Sequence, residues 1–193
     1  MPNSMSGRGR ITQIRLSGFG GQGVVLAGLL LGEAGVADGR YVAGSNSYGA
    51  QARGSGCKAE VVFSDAPIDF PHLTTADILV AMSQGSYDQY CADMRPETGL
   101  ILYDQSQITP KKDLAVRQVG IPATESALKK LKNKQVANIV LLGALIELTG
   151  VVSTEAIERA MEKHVNERFR RLNLEALEAG RQLGRQTPGR TQR

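Results

Sequence analysis

The sequence predicts an α/β protein: a single Rossmann-like domain, built as a three-layer sandwich with a mostly parallel sheet and helices on both of its faces. Short apolar, β-branched segments alternate along the 193 residues with longer segments of helical periodicity. The strand-like segment at 78–82 is apolar throughout, which is typical of a parallel strand buried on both faces. Four glycines within six residues join the first strand-like segment to the first helical one.

Strands are predicted where β-branched and aromatic residues cluster in short runs. They lie at residues 11–17, 41–47, 58–64, 78–82, 100–103 and 114–119. Strands that alternate with helices pair mostly in parallel and bring their carboxyl ends to one edge of the sheet. We therefore expect the turns that follow the first, second and fourth strands to meet at that edge.

Helices are predicted at residues 23–37, 84–94, 124–131, 134–149, 154–163 and 167–183. Ser153 provides a capping hydroxyl for the fifth helix, and Gly150 ends the fourth. The apolar segment at 136–148 is shorter than the roughly 20 residues that cross a bilayer, so we expect a core helix and no membrane contact. One domain at residues 10–183 is expected, between flexible tails at 1–9 and 184–193.

The positive charge of the chain is concentrated at its ends. The net charge is +4, but the arginines among residues 1–10 and 181–193 account for six positive charges, which leaves −2 for residues 11–180. Aromatic residues make up 5% of the chain, so stacking platforms for bases are scarce. We therefore expect no nucleic-acid-binding surface on the folded body.

The two cysteines, Cys57 and Cys91, lie far apart and form no C-x-x-C pattern, so the sequence offers no ligands for an iron–sulfur cluster or a structural zinc. We expect both to be buried or free thiols. Together with the absence of a signal-peptide pattern at the start of the sequence, this predicts a cytoplasmic protein.

The glycine-rich turn has the composition of an anion cradle. Gly18, Gly20 and Gly23 fit the G-x-G-x-x-G pattern, and the amides at the following helix N-terminus favour a phosphate or carboxylate. The NAD- or FAD-binding form of this pattern requires an acidic residue at the end of the second strand, but Asp38 precedes that strand. Two alternatives stay open: a nucleotide-binding dehydrogenase, or glycines that only allow tight packing.

A second loop follows the second strand, with the sequence Tyr-Gly-Ala-Gln-Ala-Arg-Gly-Ser-Gly at residues 48–56. Arg53 offers a planar fork of donors for a phosphate or carboxylate, and Tyr48 offers a flat surface with a polar tip. Arg53 could equally form a salt bridge within the fold or face solvent.

Together these two loops resemble the gamma subunit, or gamma domain, of the 2-oxoacid:ferredoxin oxidoreductase family. Members of that family have a G-x-G-G-Q-G-V turn and a T/S-Y-G-P-E-x-R-G-G loop. The similarity continues through the segments at 61–65, 76–84 and 172–180, and through Asn138 in the apolar helix, so that it covers about residues 11–183. In two places the chain departs from the family: it has Ala50-Gln51 where Pro-Glu is usual, and Gly54-Ser55 in place of Gly-Gly.

The resemblance implies a non-catalytic subunit that helps to complete the active site of a larger oxidoreductase. Such complexes oxidatively decarboxylate a 2-oxoacid, here 2-oxoglutarate above pyruvate or a branched-chain acid, and transfer the acyl group to coenzyme A while reducing ferredoxin. Thiamine diphosphate and iron–sulfur clusters would belong to alpha and beta subunits, and in some complexes a delta subunit is present. The isolated chain could form a homodimer, but we expect it to bind no cofactor and no metal and to have no activity.

The residues expected to contact coenzyme A or a partner loop are the following: Gly20, Gly21, Gln22, Gly23, Tyr48 and Arg53. His72 is expected in a loop and His164 at a helix end, so that neither is assigned a catalytic role. The competing functions are a free-standing NAD- or FAD-dependent oxidoreductase and a subunit of an indolepyruvate-type oxidoreductase.

Overall fold

The computed structural model describes residues 10–48, 56–73 and 75–187. Within them the strands are β1 (Ile11–Phe19), β2 (Tyr41–Tyr48), β3 (Gly56–Ser64), β4 (Ile78–Ala81), β5 (Leu100–Asp104) and β6 (Arg117–Ile121). The helices are α1 (Val24–Ala37), α2 (Gln84–Tyr90), α3 (Ala123–Leu131), α4 (Ala137–Thr149), α5 (Thr154–His164) and α6 (Glu167–Gln186). A single 3₁₀ turn at Lys134–Val136 leads into α4.

The six strands form one sheet in the order β2-β3-β1-β4-β5-β6. Strands β1, β4, β5 and β6 pair in parallel, whereas β3 is antiparallel to both β1 and β2. Five strands therefore run in one direction, which confirms the predicted mostly parallel sheet. The exception, β3, follows β2 after only seven residues, and a parallel crossover needs a dozen or more.

Helices cover both faces of the sheet, as the sequence predicts, but unequally. Helices α1 and α3 to α6 contribute buried side chains to a large core on one face, in which Leu16, Leu30 and Leu141 are almost completely buried. On the other face, the short helix α2 buries Tyr87 in a small cluster with Leu79 and Ile101. The part of this second face beside β2 and β3 carries mainly polar side chains.

Helix α6 crosses α4 with almost no space between the two backbones. A Cβ atom on Gly180 would overlap the carbonyl oxygen of Val140, and a Cβ on Gly143 would overlap that of Leu177. The two glycines thus allow the helices to pack at a distance that no larger residue permits.

Several predicted boundaries were wrong, two of them for a physical reason that the structure shows. Helix α6 continues past residue 183 because Gly184 lies inside it, where a Cβ would come within 3.1 Å of the Ala144 carbonyl oxygen. The sixth strand begins at Arg117, because the apolar Leu114 and Val116 pack beneath the second face instead of pairing. Helix α2 ends at Tyr90 instead of residue 94.

The predicted caps and the expected core helix are confirmed. Ser153 accepts a hydrogen bond from the Ala156 amide at the start of α5, and Gly150 ends α4 in the left-handed conformation at φ 58°. Helix α4 is buried along nearly its whole length. In the described part of the chain, no helix combines the length and the apolar character that crossing a membrane requires.

Candidate functional site

The sheet brings the predicted turns to the same edge. Tyr48 pairs with Cys57, and Cys57 pairs with Gly18, so that the ends of three neighbouring strands lie in one row. At strand spacings of about 4.8 Å, this places the Tyr48 backbone roughly 10 Å from the glycine turn. On the other side of β1, the Met82 amide donates to the Ser17 carbonyl over 2.9 Å, which brings the turn before α2 to the same edge.

The glycine turn reverses the chain between β1 and α1. The Gln22 amide donates to the Phe19 carbonyl over 3.1 Å and closes the turn. Gly21 and Gly23 have φ angles of 97° and 72°, a region that residues with a Cβ rarely adopt. These two positions therefore require glycine for the backbone path itself.

The side chain of Gln22 holds the turn to two strands. Its Oε1 accepts from the Phe19 amide at 2.6 Å, and its Nε2 donates to the Met82 carbonyl at 3.0 Å. Both polar ends of this side chain are thus engaged inside the fold. Gln22 therefore fixes the position of the turn, and its backbone amide, which is bonded to the Phe19 carbonyl, is not one of the donors that the predicted cradle would offer.

Asn138, on α4, also holds the turn in place, a role that the sequence analysis missed. Its Nδ2 donates to the Gly23 carbonyl at 3.1 Å and fills the space that a Cβ on Gly23 would take. Asn138 is 5% exposed, and its Oδ1 has no hydrogen-bond partner among the described residues. A buried amide in an otherwise apolar helix was the sequence pattern that could have identified it.

Helix α1 begins at the turn with its N-terminal amides unsatisfied by side chains. Its N-cap is Gly23, no side chain caps it, and its first turn contains no acidic residue. Unpaired amides and the positive end of the helix dipole favour an anion at this position.

A pocket of about 180 Å³ adjoins the turn. Gly21 and Asn138 line it, and Lys134 contributes a positive charge to its wall. Asp104, which also lines it, is occupied inside the fold, since its carboxylate accepts from the Ser106 and Thr124 amides at 3.1 Å. The pocket can hold a small anionic group or one side chain of another polypeptide.

Two of the predicted site residues belong to the second loop. The backbone of Tyr48 ends β2 beside the turn, as described above. Arg53 lies outside the described residues, so its predicted role rests on the sequence.

Among the described residues, the acidic residue that a dinucleotide site requires is absent from the edge where the glycine turn lies. Asp38 lies at the amino edge, where its carboxylate accepts from the Ser153 amide and hydroxyl at 2.6 Å each. In dinucleotide-binding folds the second strand lies directly beside the first, but here β3 separates β2 from β1. The geometry therefore lacks the ribose-binding part of such a site.

The two histidines lie apart from this edge, whereas Cys57 lies at it, paired with Gly18. His72 is exposed and makes an edge contact with the Phe70 ring at 5.3 Å, and His164 ends α5 with Nε2 3.4 Å from Glu33. Cys57 and Cys91 are buried free thiols, as predicted, and burial raises the pKa of Cys57. Among the described residues, no group of three His, Cys, Asp or Glu side chains could hold a metal ion.

A buried ion-pair cluster lies on the second face of the sheet, between β1, β3 and the end of α2. Glu60 accepts from Arg15 Nε and from Lys58 Nζ at 2.9 Å each. The Arg15 guanidinium also stacks 4.5 Å from the Tyr90 ring centre. Burial alone would raise the pKa of Glu60, but the hydrogen bonds from Lys58 and Arg15 outweigh it and hold that pKa below its usual value.

The comparisons with known proteins agree over nearly the whole chain. The sequence pattern of the family described as pyruvate ferredoxin/flavodoxin oxidoreductase matches residues 13–183. The chain is 43% identical over 177 residues to the 2-oxoglutarate synthase subunit KorC of Methanocaldococcus jannaschii, covering 90% of this chain and 94% of that protein.

Two further similarities extend this result. The ketoisovalerate oxidoreductase subunit VorA of Methanothermobacter marburgensis is 34% identical over 175 residues, which are 89% of this chain but 36% of that longer protein. The crystal structure of a keto/oxoacid ferredoxin oxidoreductase gamma subunit from Geobacter sulfurreducens has a TM-score of 0.80 and 37% identity, covering 91% of this chain and 99% of that one.

Proposed function

The chain belongs to the pyruvate ferredoxin/flavodoxin oxidoreductase family, and we propose that it is the gamma subunit of a multi-subunit 2-oxoacid:ferredoxin oxidoreductase. The observation that carries this proposal is the end-to-end similarity to a 2-oxoglutarate synthase subunit, over 90% of this chain and 94% of the relative. The proposed substrate is 2-oxoglutarate, because that relative is 43% identical, against 34% for the ketoisovalerate subunit.

The proposed reaction converts a 2-oxoacid and coenzyme A into an acyl-CoA and CO₂, while two electrons pass to ferredoxin. Thiamine diphosphate and iron–sulfur clusters supply that chemistry in the complex. We assign them to alpha and beta subunits, because the described residues of this chain provide no cluster of metal-binding side chains and its cysteines are separate. This chain would act in the cytoplasm as a structural and ligand-positioning subunit.

The proposed contribution of this chain is the edge formed by the glycine turn and the second loop. The glycine turn leads directly into the uncapped N-terminus of α1, and Lys134 adds positive charge beside the turn. With Tyr48 and Arg53 from the second loop, this edge would contact a phosphate of coenzyme A. A carboxylate-bearing loop of a partner subunit has the same chemistry and is the competing occupant.

Purification of the native complex tests the subunit assignment. We expect the chain to co-purify with thiamine-dependent alpha and beta subunits, identified by mass spectrometry, and the complex to reduce ferredoxin when 2-oxoglutarate and coenzyme A are both present. The isolated chain should have no such activity. Turnover of a redox substrate by the isolated chain with bound NAD or FAD would contradict the proposal.

Replacement of Arg53 distinguishes coenzyme A from a partner loop as the occupant of this edge. If Arg53 binds a phosphate of coenzyme A, Arg53→Ala should raise the apparent KM for coenzyme A by about 10- to 150-fold, the value of a charge-assisted hydrogen bond of about 1.5–3 kcal/mol. Arg171→Ala is the matched control, because the Arg171 side chain is 94% exposed on α6. If Arg53→Ala leaves the KM for coenzyme A unchanged in the assembled complex but weakens the association of the subunits, the partner loop is favoured as the occupant.

A further inference from the structure

The outward side of α1 is apolar although it faces solvent. Val25, Leu29, Gly32 and Val36 follow one another at spacings of four, three and four residues, which places them in one stripe along the helix. Leu29 is 43% exposed and Val36 61%. A helix that is apolar on all sides is normally buried on all sides.

The neighbouring helix α5 does not share the pattern. All five exposed residues of α5 are charged: Glu155, Glu158, Arg159, Glu162 and Lys163. In α1, by contrast, the exposed residues are Leu29, Val36 and Ala37, and the single charged residue, Glu33, is half-buried against Lys163 and His164 of α5. Single exposed apolar residues occur elsewhere, such as Leu128 on α3 and Phe169 on α6, but on α1 every exposed residue is apolar.

The stripe adjoins a sheet edge that no other strand of the described residues covers. Strand β2 is the outermost strand beside β3, and its eight residues include no charged residue and no proline. Edge strands usually carry such residues because their free backbone groups otherwise pair with other chains. A Cβ on Gly32 would lie 3.7 Å from Val42, so that stripe and strand form one continuous surface. We call this surface, made of the α1 stripe and the outer edge of β2, the α1–β2 face.

We propose that the α1–β2 face is covered by another subunit of the oxidoreductase, which pairs an uncharged extended segment with β2 and packs apolar side chains on the α1 stripe. This inference rests on the proposed function. A surface without charge of its own fits an uncharged partner segment, since a charged one would lose its hydration without gaining an ion pair.

Two observations favour a partner subunit over a second copy of this chain. The face reaches the candidate site, because α1 begins at the glycine turn and β2 ends beside it. In the VorA relative, the region that matches this chain is about a third of a longer polypeptide, so that the same domain there is joined to further protein. A neighbour bound at the β2 end of the site would therefore also reach the α1–β2 face.

Substitution of one exposed leucine tests the inference. Leu29→Lys places a charge on the stripe, and Leu128→Lys is the matched control, because Leu128 is an equally exposed leucine on α3, at 47%. Each lysine has a glutamate within four residues on its own helix, so that both variants should fold with unchanged circular dichroism. Each variant is co-expressed with the partner subunits, and its share of the purified complex is measured.

We expect Leu29→Lys to lower incorporation into the complex by about tenfold or more, and Leu128→Lys to leave it unchanged. In the wild-type complex, hydrogen exchange of the β2 backbone should be slower than in the isolated chain, a measurement that does not depend on any variant. Equal incorporation of both variants, or unchanged exchange in β2, would overturn the inference and leave the proposed function intact.

Two other outcomes are equally informative. If the isolated chain forms a dimer that Leu29→Lys dissociates, while assembly with the partners is unaffected, the occupant is a second copy and the inference is wrong. If the wild-type chain does not associate with thiamine-dependent subunits at all, the proposed function fails and the inference fails with it.

Discussion

The glycine turn should be unusually sensitive to the addition of one methyl group at Gly23. Alanine there would have to adopt the left-handed conformation, at φ 72°, which costs about 1–2 kcal/mol. Its Cβ would also overlap Asn138 Nδ2 and lie 3.1 Å from Cγ, an overpacking that costs about 1–3 kcal/mol more. Gly23→Ala should therefore lower the free energy of unfolding by about 2–5 kcal/mol.

Gly32→Ala is the matched control on the same helix. Its nearest neighbour would be Val42 at 3.7 Å, and its φ is not positive, so the new methyl group meets no obstacle. Because alanine is a better helix former than glycine, this variant should be more stable by about 1 kcal/mol. Urea unfolding followed by circular dichroism measures both changes.

A double-mutant cycle with Asn138 separates the two costs at Gly23. In an Asn138→Ala background the overlap disappears, so Gly23→Ala should cost only the backbone term of about 1–2 kcal/mol. Equal unfolding midpoints for Gly23→Ala and Gly32→Ala would refute the assignment of the turn geometry. An undiminished cost in the Asn138→Ala background would refute the part assigned to packing.

Two other predictions concern the fold around the site. The pKa of Glu60 is lowered in the folded chain by Lys58 and Arg15. The ionised Glu60 therefore stabilises the fold fully above its unfolded pKa of about 4.3, and this stabilisation is lost as the pH falls through the lower pKa of the folded state. Glu60→Gln should remove this pH-dependent part of the free energy of unfolding. Gly180→Ala forces a methyl group against the Val140 carbonyl and should destabilise the chain by about 3 kcal/mol or more in urea unfolding, whereas a loss below about 0.5 kcal/mol would contradict the close helix crossing.

The fold class was predictable because short apolar segments alternate with longer ones along the chain. The apolar run at β4 has the length of a strand and the apolar segment of α4 has the length of a helix, and capping residues such as Ser153 mark where elements begin. The antiparallel placement of β3 was not predicted, although the seven residues before it are too few for a crossover. Gly184 misled the helix boundary because a glycine used for close packing has the same local appearance as a helix terminator.

The candidate site was predictable in composition but not in its internal connections. The glycines marked the turn, and strand order brought Tyr48 to it. The side-chain contacts of Gln22 and Asn138 join residues 60 and 115 positions apart, and no local pattern reports a contact over such a separation. Likewise the Arg15–Glu60 pair becomes visible only in the strand register.

Neutral side chains hold the turn in place, so its stability does not depend on a charged group that would also change the electrostatic field at the start of α1. Gln22 and Asn138 use amide groups to fix it against β1, α4 and the residue after β4, and the first turn of α1 contains no acidic residue that would oppose the positive field there. A ligand or partner carboxylate would therefore meet amides already in position and would not have to order them. The α1–β2 face begins at the same turn, but the two parts should respond differently to substitution. A change that loosens the turn should weaken ligand binding in an assembled complex, whereas a charge on the α1 stripe should weaken assembly itself.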